Sequence, residues 1–243
     1  ISLAISEHYL PTGLDSKTPK NSFSIALALT DKIDTLVGFF GINQKPTSSK
    51  DPYALRRSAL GVIKLLIDNN KESKVKDLIS YSASLYKNQG FELSNKLLQR
   101  ELIDFLMDRL KYYMKEKKIR TDIIEASIKS YGIDYMNKIY KKALTLNNVI
   151  NKQTGEDVVS SYKRASNILE SELKNKDIQL SNTTDPGIFK NDYEKNLLKK
   201  INELRKYFTG LNKDEDYMES LTALADSKKV IFDFFDNVKI NDE

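Results

Sequence analysis

Between Thr30 and Gly61 the chain reads TDKIDTLVGFFGINQKPTSSKDPYALRRSALG, two helical patterns joined by a polar connector. In the first, Ile25, Leu29, Ile33, Leu36, Val37 and Phe40 recur at the 3.6-residue period and share one face. The connector from Asn43 to Lys50 breaks that period. Asp51-Pro52 is expected to open the second helix, with Asp as N-cap and Pro at the first helical position, where its missing N–H is not needed. Leu55, Ala59, Val62, Ile63 and Leu66 then fall on one face, and Arg56 and Arg57 lie in the first two turns.

The rest of the 243-residue chain repeats this logic. Glycine (9) and proline (5) are scarce, and no segment alternates apolar and polar over a strand length. The expected fold class is therefore all-α, a helical bundle. A short helical end within 1–20 breaks at Pro11-Thr12-Gly13 and Pro19, and helices are expected over 22–42, 51–69 and 74–88. A second unit is expected to begin near Gly90. Its helices fall at 94–118, 121–131, 133–150, 157–175, 191–209 and 215–238, with a break at Gly155 and a turn at Thr184-Asp185-Pro186-Gly187. Val158, Tyr162, Ala165 and Leu169 are read as the inward face of 157–175. The expected domains are 1–88 and 89–243, the latter long enough for a five- or six-helix bundle.

Composition removes several function classes. With no cysteine and one histidine, His8, there is no disulfide frame, no thiolate metal site and no spare imidazole for a catalytic triad. No apolar run approaches 18 residues and no signal peptide is evident, so the expectation is a cytoplasmic protein without a membrane anchor. Nothing resembles a glycine-rich phosphate loop, a nucleophile elbow or a paired acid–base site. No catalytic centre and no metal site are expected in this piece. A start at Ile1 and a stop at Asn241-Asp242-Glu243, just after an apolar helix, read as a C-terminal fragment of something longer.

Net charge is +5 and pI about 9.0, a mild preference for a polyanion. In a lysine-rich chain the few arginines are the more selective signal. Arg56 and Arg57, with Lys45 and Lys50, form a candidate phosphate patch near a helix N-terminus; the alternative is an ion pair holding the connector. Arg109 falls in the middle of the apolar face made by Leu98, Leu102, Phe105, Leu106 and Tyr113. A charge there needs a partner, with Asp104, Asp108 or a neighbouring helix favoured over RNA. The run KYYMKEKKIR, with Lys115 and Arg120, interleaves cations and aromatic rings as RNA contacts do, and as a solvated helix end also does. Lys163, Arg164 and Asn167 are read on the polar side of their helix, as a surface for base or phosphate contacts or as ordinary exposed polarity. Asp31 and Asp34 are read as capping or pairing with Lys32 in preference to metal ligands.

Five ordered segments resemble the β subunit of bacterial tetrameric (α2β2) glycyl-tRNA synthetase. They are EHYLP at 7–11, the block from Asp31 to Gly61, LMDRLKYYMKEKKIRTDIIEA at 106–126, SYKRASNIL at 161–169 and FDFFDNVKIN at 232–241. Ser48 stands where that family has a glycine. The resemblance implies the tail of an HD-like helical domain in 1–88 plus connecting helices, then a DALR-like anticodon-binding helical domain in 89–243. It implies a tRNA-binding subunit partnered by an α subunit, which uses ATP and Mg to attach glycine, so no cofactor is expected in this fragment. Arg56, Arg57, Arg109, Lys115, Arg120, Arg164 and Asn167 are the candidate tRNA contacts. A docking scaffold and a remnant HD-type metal phosphohydrolase are the alternatives.

Overall fold

The computed structural model describes residues 1–131, 134–175, 184–210 and 216–239, and every regular element among them is helical. The helices are α1 (Ser2–Glu7), α2 (Ser22–Gly41), α3 (Leu55–Asp68), α4 (Val75–Asn88), α5 (Leu98–Glu116), α6 (Thr121–Tyr131) and α7 (Met136–Val149). They continue with α8 (Gln153–Asn175), a 3-10 turn (Pro186–Ile188), α9 (Asp192–Gly210), α10 (Tyr217–Ala225) and α11 (Lys228–Asn237). The chain forms two compact units, Ile1–Leu144 and Thr145–Glu243.

In the first unit α2 and α3 pack face to face through the residues their periodicity singled out. Ile33, Leu36, Val37, Phe40, Leu55, Ala59, Val62, Ile63 and Leu66 are all buried. Leu29 is half-buried instead, and Ala28 takes its place inside. Helix α5 lies on α2, α3 and α4 and buries Leu102, Leu106 and Leu110, each a stabilisation of about 1.5–3 kcal/mol. That packing ties residues 89–144 to the helices before them, so the break expected after residue 88 does not coincide with the division between the compact units.

Two lysines inside this core have a different job from surface lysines. Lys32 of α2 is 5 % exposed and donates to the backbone carbonyls of His8 (3.1 Å) and Tyr9 (3.2 Å). Lys64 of α3 is equally buried and donates to the carbonyl of Leu14 (2.6 Å). Together they capture the segment between α1 and α2. Burial holds the Lys32 ammonium below its ordinary pKa of 10.5, partly offset by Asp31. Lys32 makes no ion pair with Asp31, contrary to the expectation; the buried carbonyls satisfy it instead.

Local starts and stops differ from the pattern where side chains compete with the backbone. Asp51-Pro52 does not begin α3. Residues 51–53 turn, Ala54 adopts the left-handed conformation (φ 52), and the Asp51 carboxylate caps from a distance, accepting from the amides of Leu55 (2.8 Å) and Arg56 (2.9 Å). The turn from Thr47 to Lys50 closes through Thr47 N–H to the Lys50 carbonyl (2.9 Å), and Ser48 keeps negative φ, so no glycine is required there. Helix α5 starts four residues late. Asn95 is bound to the end of α2 through the carbonyls of Gly41 and Phe40 (both 3.0 Å).

In the second unit α8 packs on α10 and α11, and α9 packs on α11. The helix expected over 215–238 is two helices. Ser227 is buried at the break, its hydroxyl donating to the Leu224 carbonyl (2.5 Å), which draws the end of α10 tight. Gly155 is inside the first turn of α8 instead of marking a break; a Cβ there would lie 2.4 Å from the Val149 carbonyl oxygen. The inward face of α8 is also rotated from expectation. Tyr162 is 71 % exposed and Leu169 45 %, while Ser161 is buried.

Gly61 lets the Lys32 stem cross α3: an added Cβ would lie 2.5 Å from Lys32 Cε, a stem pinned at its far end by two carbonyls. Gly61→Ala should therefore destabilise the protein by about 1–2 kcal/mol, because overpacking outweighs a helix-propensity gain of about 1 kcal/mol. Urea unfolding checks this, and a more stable variant would refute the crowding.

Candidate nucleic-acid interface

Each arginine proposed from the sequence has a definite environment, and several are committed to the scaffold. Arg56 donates through Nη2 to the Thr47 carbonyl and stands 3.9 Å from the Asp51 carboxylate, clamping the connector to the start of α3. Lys45 pairs with Glu101 of α5 (2.5 Å), and hydrogen bonds from Lys45 and Asn95 hold that carboxyl below its ordinary range. The expected phosphate patch is thus divided. Lys45 and Arg56 hold the connector, while Arg57 is exposed and has no ion pair among the described residues.

Arg109 meets neither Asp104 nor Asp108. Its guanidinium lies over the rings of Phe105 (5.9 Å) and Tyr112 (5.7 Å), one turn before and after it on α5. Its Nε is shielded from solvent with no hydrogen-bond acceptor among the described residues. The charge is accommodated by π faces, a third solution beside the ion pair and the RNA contact expected for it.

Of the basic run, Tyr113 and Met114 are buried, and Tyr112 (42 % exposed) alone of the two tyrosines presents a ring. Lys115 is exposed. Arg120 forks onto the Asp122 carboxylate through Nε (3.2 Å) and Nη2 (2.7 Å), lowering the Asp122 pKa and fixing the start of α6.

Arg164 does not lie on a polar face. It stacks over Phe232 (4.6 Å) and Phe235 (5.7 Å) and pairs with Asp236, fastening α8 to α11. Beside it, Lys228 bridges to Asp157 (2.7 Å) and holds that carboxyl below its ordinary range. Lys163 and Asn167 remain exposed. The residues proposed as contacts thus fall in both compact units.

Three concavities stand out. In the first unit, about 400 Å³ opens between Asp34, Gly38, Phe39, Ile42, Tyr86 and Leu93. There the Tyr86 hydroxyl donates to the Asp34 carboxylate (3.1 Å), so Asp34 is committed to a neighbour. Among the described residues no three histidine, cysteine, aspartate or glutamate side chains gather to hold a metal ion. In the second unit, two hollows flank α9. One, of about 350 Å³, gathers Tyr193, Asn196, Lys199, Lys200 and Lys229; the other, of about 570 Å³, is floored by Pro186, Phe189 and Leu198. Sequence reasoning missed both: Lys199 and Lys229 of the first are 30 residues apart, and Lys195, Lys199 and Lys206 of the second lie in an unremarkable polar stretch of α9.

Residues 1–129 match the family model described as glycyl-tRNA synthetase beta subunit. The chain is 34% identical over 242 residues to a protein of Cereibacter sphaeroides named glycine–tRNA ligase beta subunit, covering 99% of this chain and 35% of that relative. It is 35% identical over 242 residues to the protein of that name from Rickettsia prowazekii, covering 100% of this chain and 34% of the relative. This helical chain belongs to the glycyl-tRNA synthetase beta subunit family. It spans about a third of the length of the curated relatives it matches.

Two outcomes follow. Arg164→Lys should weaken the docking of α11 by about 1–2 kcal/mol, since an ammonium cannot stack on two rings and pair with Asp236 at once; thermal unfolding of the variant checks it. Burial and the Asp34 carboxylate raise the Tyr86 pKa from 10.0 to about 12. The folded protein then retains a proton the unfolded chain loses, so this stability is present below pH 10 and lost as pH rises through about 12. Tyr86→Phe should flatten that loss, as read by unfolding at a series of alkaline pH values.

Proposed function

We propose that the chain is the tRNA-binding part of a glycine–tRNA ligase β subunit, supporting ATP-dependent attachment of glycine by a separate α subunit in an α2β2 assembly. The observation that carries this reading is the 34% identity to such a subunit along 99% of the chain. On this reading residues 1–88 correspond to the tail of an HD-like helical domain and 89–243 to a DALR-like anticodon-binding domain. The latter then includes α5, which packs with the first compact unit.

Among the proposed contacts, Arg57, Lys115 and Asn167 act directly, being exposed and without an ion pair among the described residues. Arg56, Arg120 and Arg164 act by holding the backbone that carries such contacts. Arg109 keeps an Nε without an acceptor among the described residues beside the exposed ring of Tyr112, an arrangement that suits a phosphate next to a stacked base. A docking role for the first unit is the second reading. It is favoured by Ile42 (52 % exposed) and Phe91 (60 % exposed) beside the Asp34 hollow.

The test is binding of glycine tRNA, against the same tRNA with an altered anticodon, at two salt concentrations. Salt-sensitive binding with preference for the native anticodon is expected. Arg57→Ala and Lys115→Ala should each reduce the slope of log affinity against log salt by about one if each meets a phosphate. No retention of either tRNA at the lower salt would overturn the reading in favour of the docking role.

A further inference from the structure

Helix α9 forms a ridge between its two hollows, because Lys199 and Glu203 line both of them. Lys200 and Lys229 stand on the α11 side with Tyr193, Asn196 and Asp233. On the other side, Lys195 and Lys206 rim the floor of Pro186, Phe189 and Leu198. Lys195 is engaged with Asp192 (3.1 Å). Lys199, Lys200, Lys206 and Lys229 have no ion-pair or hydrogen-bond partner among the described residues, although Glu203 and Asp233 stand among them.

Unpaired ammonium groups around a recess are set for an external polyanion, and lysine meets phosphate as a mobile point charge. The recesses add what a purely electrostatic surface lacks. Tyr193 is 40 % exposed and Phe189 is half-buried, so each hollow holds an aromatic ring on which a base can stack. Asn196, Glu203 and Asp233 supply an amide and acceptors for exocyclic amines and 2′-hydroxyls. A duplex hides its bases within the stack, whereas a single-stranded loop can splay them to either side of a ridge.

We infer that the α9 ridge seats a single-stranded RNA loop, with phosphates on Lys199 and Lys229 and unstacked bases in the hollows against Tyr193 and Phe189. This rests on the proposal that the chain binds tRNA. It moves the centre of contact to residues outside the five motif segments quoted from the sequence, Asp233 excepted.

The test uses the 243-residue chain and a glycine tRNA transcript at low salt, followed by fluorescence anisotropy. Lys199→Glu with Lys229→Glu should weaken binding at least about tenfold, through lost phosphate contacts. Lys17→Glu with Lys87→Glu makes the same change in net charge at exposed positions in the first unit and should alter it less than about twofold. Helical circular dichroism verifies folding, and the milder pair Lys199→Gln with Lys229→Gln serves if charge reversal unfolds the bundle. Phe189→Ala should weaken binding without changing the salt slope, since stacking releases no counterions. If both charge-reversed pairs weaken binding equally, only net charge matters and the ridge inference falls while the tRNA-binding proposal stands. If the unmodified chain does not retain tRNA, both fall.

Discussion

The first unit is organised around the buried ammonium of Lys32. An isolated charge in an apolar core costs several kcal/mol, so the position exists only because backbone carbonyls of His8 and Tyr9 turn inward to receive it. That requirement propagates. The captured segment must pass close to α3, α3 must present a glycine at 61, and Lys64 takes the next carbonyl, that of Leu14. Asp68 completes the arrangement at the far end of α3, accepting from Thr18 (3.4 Å) and lying 3.6 Å from Lys64. Tyr113 of α5 lies 3.5 Å from the same carboxylate, so the loop, α3 and α5 share one polar anchor. Lys64, Thr18 and Tyr113 are buried while Asp68 reaches solvent, so the carboxylate ties three buried groups to the surface.

A division of labour between the two basic residue types runs through both units. Arginines bind the scaffold: Arg56 to the connector, Arg120 to the start of α6, Arg164 to the aromatic face of α11. A planar guanidinium combines a stacking face with a fork of donors, and these sites use both. Lysines other than Lys32 and Lys64 mostly remain at the surface, including the group along α9. Within each unit, segments quoted for the family resemblance meet one another. The 7–11 segment is held by Lys32 across Gly61, and the 161–169 segment is joined to 232–241 through Arg164.

The second unit is built more lightly than the first. Its described helices α9, α10 and α11 contain no fully buried residue, and their apolar side chains are half-covered. Ion pairs between α8 and α11, Arg164 with Asp236 and Lys228 with Asp157, locate the helices where apolar burial is modest. Partly exposed pairs contribute little individually, so aromatic stacking beneath Arg164 supplies the more persuasive share. An open bundle of this kind leaves recesses between helices, and those recesses are where lysines and rings come together.

By itself the sequence determined the all-α class and most of the α2, α3 and α5 stripes, because a 3.6-residue period with few glycines and prolines admits little else. It also carried family membership, through ordered motifs. It did not determine where α3 begins, since capping by Asp51 from four residues away depends on a left-handed Ala54 that no periodicity encodes. Nor did it determine the face of α8: Tyr162 and Leu169 look inward on a helical wheel, but Arg164 finds two phenylalanines some 70 residues later and turns the helix. Arg109 was legible as an anomaly, while its answer, two rings instead of a carboxylate, was not. Burial of a charge, direction of a side chain and convergence of lysines from different helices are all long-range facts. Only the tertiary structure decides them, because each depends on which distant partner arrives, and the local chain is compatible with several.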